Sequence, residues 1–157
     1  MRNKILAMLY RRFHTAEAEA HCDGPCGVYD PASARIAAEA VLSMTQKLNA
    51  LEPPAGGDRA ATIAYQNTFA RYVNIKEEQA EIAKRELLIL WTDYFKPEHL
   101  AEIPNLHDLF WKAAKLCSAC KVNVSEPYAK ELLKAIEDIH EVFWKTKKRE
   151  VKWYTAA

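Results

Sequence analysis

The chain has 157 residues, half of them hydrophobic, and a formal net charge of +1 at pH 7. That length suffices for one domain with a real core. The near-neutral charge gives no basic footprint for nucleic acid, and no apolar run reaches the roughly 18 residues of a membrane helix. Gly occurs only four times, and Ala, Glu, Lys, Leu and Ile dominate. We therefore expect an all-α protein with neither nucleic acid nor membrane among its partners.

Residues 1–20 differ in character from the rest of the chain. A basic start is followed by the short apolar run Ile5–Tyr10 and by an Ala-Glu-Ala pattern at 18–20. A secretory signal has these parts in this order, but six apolar residues are short for its core. We predict a propeptide, 1–20, removed by a maturation protease from a cytoplasmic protein. Secretion after residue 20, or an amphipathic helix that stays attached, are the alternatives.

The first two predicted helices begin at Asp residues. Asp30 followed by Pro31 is typical of a helix start, and an apolar stripe follows at Val41, Met44, Leu48 and Leu51. After a loop at 52–58, Asp58 can cap a second helix reaching Tyr94. Its predicted inward stripe is Tyr65, Phe69, Tyr72, Gln79, Ala83, Leu87 and Leu90. Because that helix would be about 50 Å long, we expect it to bend or break.

Two further helices complete the pattern after a turn region marked by Pro97 and Pro104. The third is predicted over 105–120, with Leu106, Phe110, Ala113 and Cys117 in line. The fourth begins at Ser125 or Glu126, with Leu132, Ile136, Ile139 and Phe143 inward and basic residues after Phe143. Four amphipathic helices with short links predict an up-down four-helix bundle over 30–150.

The chemically distinctive segment is "HCDGPCG" at 21–27, which holds His21, Cys22 and Cys26. Those side chains could serve a disulfide loop, a zinc site or a softer metal site, but tetrahedral zinc needs a fourth ligand. The second thiol pair, Cys117 and Cys120, lies on a predicted core face. We interpret that pair as small hydrophobic residues.

Cleavage after Ala20 would give His21 a free α-amine. That amine, the next backbone amide and two thiolates can form a planar N₂S₂ set, which selects Ni(II) or Cu(II). The His21 imidazole would then be a possible axial ligand. Gly24 and Pro25 suit the tight loop that returns Cys26 to Cys22.

These residues carry a family resemblance. "HCDGPCGVYDP" resembles the N-terminal hook of nickel superoxide dismutases, and "ELLILWTDYFKPEHL" and "FWKTKK" are similar to further blocks of that family. The resemblance covers 21–157, which we interpret as a hook at 21–29 followed by the bundle. It implies conversion of superoxide to O₂ and H₂O₂ through a Ni(II)/Ni(III) cycle.

The resemblance also implies roles for single residues. The nickel ligands would be the amine and imidazole of His21, the amide and thiolate of Cys22, and the thiolate of Cys26, with a cis peptide before Pro25. Asp23 and Tyr29 would shape the approach of superoxide, and Tyr94 would support Tyr29. The family implies a homohexamer with one nickel ion per subunit.

Two positions depart from the family pattern. Relatives have an acid at Ala37 and an arginine at Gln79, and those two groups hold the axial imidazole. Here Gln79 would serve alone, or Glu39 or Glu78 would substitute, or the imidazole would be held more loosely. Lys96 is either a residue that steers the superoxide anion or an ordinary solvated lysine.

Two other functions use the same cysteines. A nickel-binding protein without turnover would share the ligands but would not need Tyr29. A thiol switch, with a reversible disulfide between Cys22 and Cys26, would not need His21.

Overall fold

A computed structural model describes residues 27–156. The predicted propeptide, the cis peptide before Pro25, and His21, Cys22, Asp23 and Cys26 lie outside the described residues. Within them the chain forms five helices and no strand: α1 (Ala32–Asn49), α2 (Arg59–Ile89), α3 (Pro97–Glu102), α4 (Leu106–Val122) and α5 (Glu126–Thr146). α1 packs on α2, α2 on α4, α4 on α5, and α5 returns to α1. The predicted all-α four-helix bundle is confirmed. None of the described helices is long and apolar enough to cross a membrane.

Helix α1 begins one residue later than expected. Pro31 occupies the N-cap position rather than the first helical position, yet the Asp30 carboxylate still accepts the Ala32 N–H at 2.8 Å. Val41 and Leu48 are buried, whereas Leu51 lies beyond the end of the helix. The predicted N-cap role of Asp30 is therefore wrong by one position, although its side chain still holds the N–H of the first helical residue.

Helix α2 ends in a break, as we expected from a predicted helix of about 50 Å. A π-helical turn, Leu90–Tyr94, continues α2, and the Phe95 N–H donates to the Leu90 carbonyl five residues earlier at 3.2 Å. Such turns insert one extra residue into a helix. They change the direction of the chain and of the side chains that follow.

The predicted inward position of Phe69 is wrong, because its side chain is 43% exposed. The buried residues of α2 all lie in its second half, Lys76 to Leu87. Helix α2 has 31 residues and α4 has 17, so at 1.5 Å per residue α4 is only about half as long as its neighbour. The apolar stripe on the first half of α2 therefore continues past the helix that would cover it.

The side chain of Lys76 lies inside the bundle. Lys76 is 1% exposed, and its ammonium donates to the carbonyl oxygens of Cys120 and, at 2.8 Å, of Lys121. A carboxylate oxygen of Glu77 lies 3.7 Å from the Lys76 ammonium nitrogen. The last carbonyls of a helix have no partner within the helix and carry partial negative charge. Lys76 of α2 therefore satisfies the C-terminal end of α4.

The C-terminal tail, 149–156, folds back on the bundle. Lys148 adopts a left-handed φ of 54°, and the N–H groups of Lys148 and Arg149 donate to the carbonyls of Lys145 and Trp144 at 3.0 and 3.1 Å. This pattern is a Schellman motif, which ends a helix and reverses the chain. The tail is then held by a 2.8 Å contact of the His140 ring with the Val151 carbonyl.

Cys117 and Cys120 are core residues. Both are buried free thiols, with 0% and 2% exposure. Burial raises the pKa of Cys117 to about 12 and that of Cys120 to about 11, and their proximity contributes to the first value. A thiol that stays protonated is a poor metal ligand, so this pair has the structural character that the sequence suggested.

We expect Lys76→Met to lower the free energy of unfolding by about 1–3 kcal/mol, because two buried carbonyls lose a charged donor. Urea denaturation measures this loss. The matched control is Lys121→Met, which removes an exposed ion pair to Glu81 between the same two helices and should leave stability nearly unchanged. Equal losses in both variants would contradict the capping role of Lys76.

The buried thiols predict an alkaline loss of stability. The pKa values of both thiols in the folded chain lie above the ordinary value of 9.0. Their contribution to the free energy of unfolding is therefore complete below about pH 9 and is lost as the pH rises towards 11–12. Cys117→Ala should cost on the order of 1–2 kcal/mol at neutral pH but lose less stability than the unmutated chain between pH 9 and 11. Parallel pH curves from chemical denaturation would rule this out.

Candidate active site

The described residues form a pocket of about 420 Å³ beside the place where the hook segment joins the bundle. Gly27, directly after Cys26 in the sequence, lies in its wall. The remaining lining comes from the segment before α1, the π-helical turn, α3 and the end of α5: Tyr29, Asp93, Tyr94, Lys96, Glu98, His99 and Lys147. The pocket thus collects residues from both ends of the chain.

The structure brings together the two tyrosines singled out in the sequence. The ring centroids of Tyr29 and Tyr94 are 5.5 Å apart, with the planes tilted by 52°. Tyr94 also packs on Phe143 at 4.6 Å and against His99 at 5.7 Å. The Tyr94 ring is therefore held between the end of α5 and α3, and it forms a firm wall against which Tyr29 rests.

The Tyr94 hydroxyl has a partner at the end of α5. Its oxygen lies 2.6 Å from Oγ1 of Thr146, which in turn donates to the Phe143 carbonyl at 2.7 Å. The sequence offered no signal for Thr146, because a threonine at a helix end is common. Only the fold places it opposite a tyrosine 52 residues away.

Two lysines give the pocket a positive side. Lys96 lines it next to Tyr94, and the Lys147 ammonium lies 4.8 Å from the centre of the Tyr94 ring. Within residues 27–156 neither ammonium has a carboxylate at ion-pair distance. Asp93 and Glu98 also line the pocket. The positive potential is therefore confined to the surroundings of the two lysine ammonium groups. In the sequence Lys147 is one of the basic residues after Phe143 that suit the dipole of the last helix, and nothing there indicates its position at the pocket.

Each of the described histidines has one ring nitrogen hydrogen-bonded within the fold. Nδ1 of His99 accepts the Lys96 N–H at 3.0 Å at the start of α3, and Nδ1 of His107 accepts the indole N–H of Trp91 at 2.8 Å. His140 contacts the tail. Among residues 27–156 no group of three or more His, Cys, Asp or Glu side chains could hold a metal.

The structure shows where the residues lie that could hold the His21 imidazole in place of the acid and the arginine implied by the resemblance. Ala37 is buried in the core at 1% exposure. Glu39 has both carboxylate oxygens engaged, one by Arg35 and the other by the Ala156 N–H at 2.7 Å. Gln79 is half-buried and Glu78 is exposed. Glu39 is therefore less available than the sequence suggested.

The chain is similar to the members of one known protein family. A family model described as nickel-containing superoxide dismutase matches residues 16–147, so the tail after α5 lies outside the match. The curated "Superoxide dismutase [Ni]" of Streptomyces seoulensis is 44% identical over 117 residues, which are 74% of this chain and 80% of the relative. The protein of the same name from Streptomyces coelicolor is 44% identical over 102 residues, 65% of this chain and 69% of the relative.

Solved structures give the same result. A native nickel superoxide dismutase structure is similar with a TM-score of 0.70 at 40% identity, covering 82% of this chain and all of that one. A structure whose nickel ligation corresponds to the oxidised state has the same TM-score at 42% identity and the same coverage.

Proposed function

Since the chain belongs to the nickel-containing superoxide dismutase family, we propose that His21, Cys22 and Cys26 hold its nickel and that Asp23, Tyr29 and Tyr94 control the approach of superoxide. The enzyme is a nickel-dependent superoxide dismutase, and nickel is its cofactor. One observation above all supports the proposed site. Gly27 directly follows the last predicted ligand and lines the pocket that contains both tyrosines.

The donor chemistry of the hook fits nickel. An amine, an amide nitrogen and two thiolates would supply the N,S donor set that suits Ni(II). When bound, nickel supplies a one-electron Ni(II)/Ni(III) couple. We propose that residues 1–20 are a propeptide, because the His21 amine exists only after a maturation protease has acted. We place the enzyme in the cytoplasm, because the apolar run of the leader is short for a secretory signal.

The residues around the pocket would select and guide the substrate. Superoxide is an anion, and the ammonium groups of Lys96 and Lys147 lie at the pocket without carboxylate partners at ion-pair distance among the described residues. Such local positive potential raises the encounter rate of anions. With the hook at the pocket, the rings of Tyr29 and Tyr94 would narrow the access to the thiolates and so limit their oxidation.

We further propose that the subunits assemble into a homohexamer with one nickel site each. The support from this chain is the first half of α2, where two large apolar side chains on different parts of the helix surface, Ile63 and Phe69, are 53% and 43% exposed. Exposed apolar patches of this kind mark association surfaces.

Removal of the leader should control metal binding. Nickel should bind the chain that begins at His21 far more tightly than the full chain, because an amide nitrogen is a poor donor until it is deprotonated. Calorimetric titration of both forms, with dismutase activity measured in parallel, tests this. Equal affinity and equal activity in the two forms would contradict the role of the amine.

Cysteine variants of the mature chain separate the competing functions. Cys22→Ser and Cys26→Ser should each lose nickel and activity while the helices persist. Tight nickel binding by the unmutated mature chain without turnover would favour the nickel-binding protein. A reversible disulfide that forms equally well in His21→Ala would favour the thiol switch.

Lys147 should accelerate the encounter with superoxide. At low ionic strength Lys147→Met should lower kcat/KM by roughly 3- to 10-fold, and added salt should shrink the difference. Pulse radiolysis measures this rate. Lys145→Met is the matched control, since it removes the same charge from the same end of α5 outside the pocket. An equal loss in both variants would indicate a general charge effect.

A further inference from the structure

The Tyr94 hydroxyl has its direction set by Thr146. The Thr146 oxygen lies 2.7 Å from the Phe143 carbonyl oxygen. A carbonyl oxygen only accepts hydrogen bonds, so two oxygens at this distance need the single Thr146 hydrogen between them. This bond within the last turn of α5 is a common arrangement for helical threonine. It commits the only hydrogen that Thr146 has to give.

The second contact then has one possible donor. The Tyr94 oxygen lies 2.6 Å from the same Thr146 oxygen, which has no hydrogen left to give. Tyr94 must therefore donate, and the chain runs from the Tyr94 hydroxyl to Thr146 and on to the Phe143 carbonyl. The remaining capacity of the Tyr94 oxygen is as an acceptor.

We infer that Thr146 is a positioning residue that makes Tyr94 a hydrogen-bond acceptor towards the pocket. This inference rests on the proposed place of Tyr94 in the active site. An acceptor does not bind superoxide or another small anion, whereas it does bind groups that carry hydrogen, such as water or hydrogen peroxide. Attraction of the anion is then left to the ammonium groups of Lys96 and Lys147. Tyr94 would favour the protonated product and a water that supplies protons.

The surrounding packing supports this division of roles. The Tyr94 ring is fixed by Phe143 at 4.6 Å and by Phe95 at 4.9 Å, so the ring itself is closely confined. The hydroxyl hydrogen can still rotate about the C–O bond, and only a hydrogen-bond partner sets its direction. Thr146 is that partner.

The first test is spectroscopic and uses the metal-free chain. The tyrosine Fermi doublet in the Raman spectrum reports whether a phenol donates or accepts a hydrogen bond. Thr146→Val, which keeps the shape and removes the hydroxyl, should shift the doublet towards weaker donation. Thr146→Ala should give the same shift, and Thr146→Ser should restore the original spectrum. In a Tyr94→Phe background Thr146→Val should have no effect.

The second test measures anion binding to the mature nickel enzyme. Freed from Thr146, the Tyr94 hydroxyl can donate to an anion in the pocket, so azide should inhibit Thr146→Val roughly 3- to 10-fold more tightly than the unmutated enzyme. Thr146→Ser should show the original inhibition constant.

An unchanged Raman doublet in Thr146→Val, or a shift that persists without Tyr94, would overturn the inference. So would unchanged azide inhibition beside a shifted doublet, because the hydroxyl would then not face the pocket. If instead the proposed function were wrong, the unmutated mature chain would itself lack nickel-dependent activity, which distinguishes that outcome from a failure of the inference about Thr146.

Discussion

The buried ammonium of Lys76 fixes the register between α2 and α4. An apolar contact tolerates sliding, but a buried cation has few places where its charge is satisfied, and here those places are the last carbonyls of α4. Helix α2 is continuous from Lys76 to Ile89, about 20 Å at 1.5 Å per residue, so the anchor also sets where the π-helical turn that carries Tyr94 begins. The position of the pocket wall thus depends on a charge buried well away from it.

The pocket is lined mainly by residues at the ends of helices. Tyr94 comes from the irregular end of α2, Lys96 from the start of α3, and Thr146 and Lys147 from the end of α5. Helix ends leave backbone groups that side chains must satisfy, and they place polar residues around a common opening. Residues 29–147 therefore supply most of the pocket wall and Gly27 completes it, and under the proposed function the hook would bring the metal donors to this wall.

The sequence predicted what repeats along the chain and missed what depends on distant contacts. The stripe at Leu132, Ile136, Ile139 and Phe143 is buried as expected, and Ser125 caps α5 through the Tyr128 N–H. Lys76 interrupted the periodicity as a charged residue, and only the end of α4 explains its burial. Lys147 and Thr146 carried no local signal. Phe69 followed the helical period, but that period does not reveal where a neighbouring helix stops.

The C-terminal tail contacts the turn of α1 that contains Ala37, one of the two positions that depart from the family pattern. Tyr154 lies against the Arg35 guanidinium at 4.3 Å, and the Ala156 N–H donates to Glu39. Arg35 and Glu39 flank the buried Ala37 on α1, so the segment outside the family match holds the helix turn where the resemblance implies an acid in relatives. A buried alanine and a carboxylate already engaged by the tail leave α1 with no free acid at this turn. If His21 is a nickel ligand as proposed, the candidates left to support its imidazole are Gln79 and Glu78 on α2 or the hook itself.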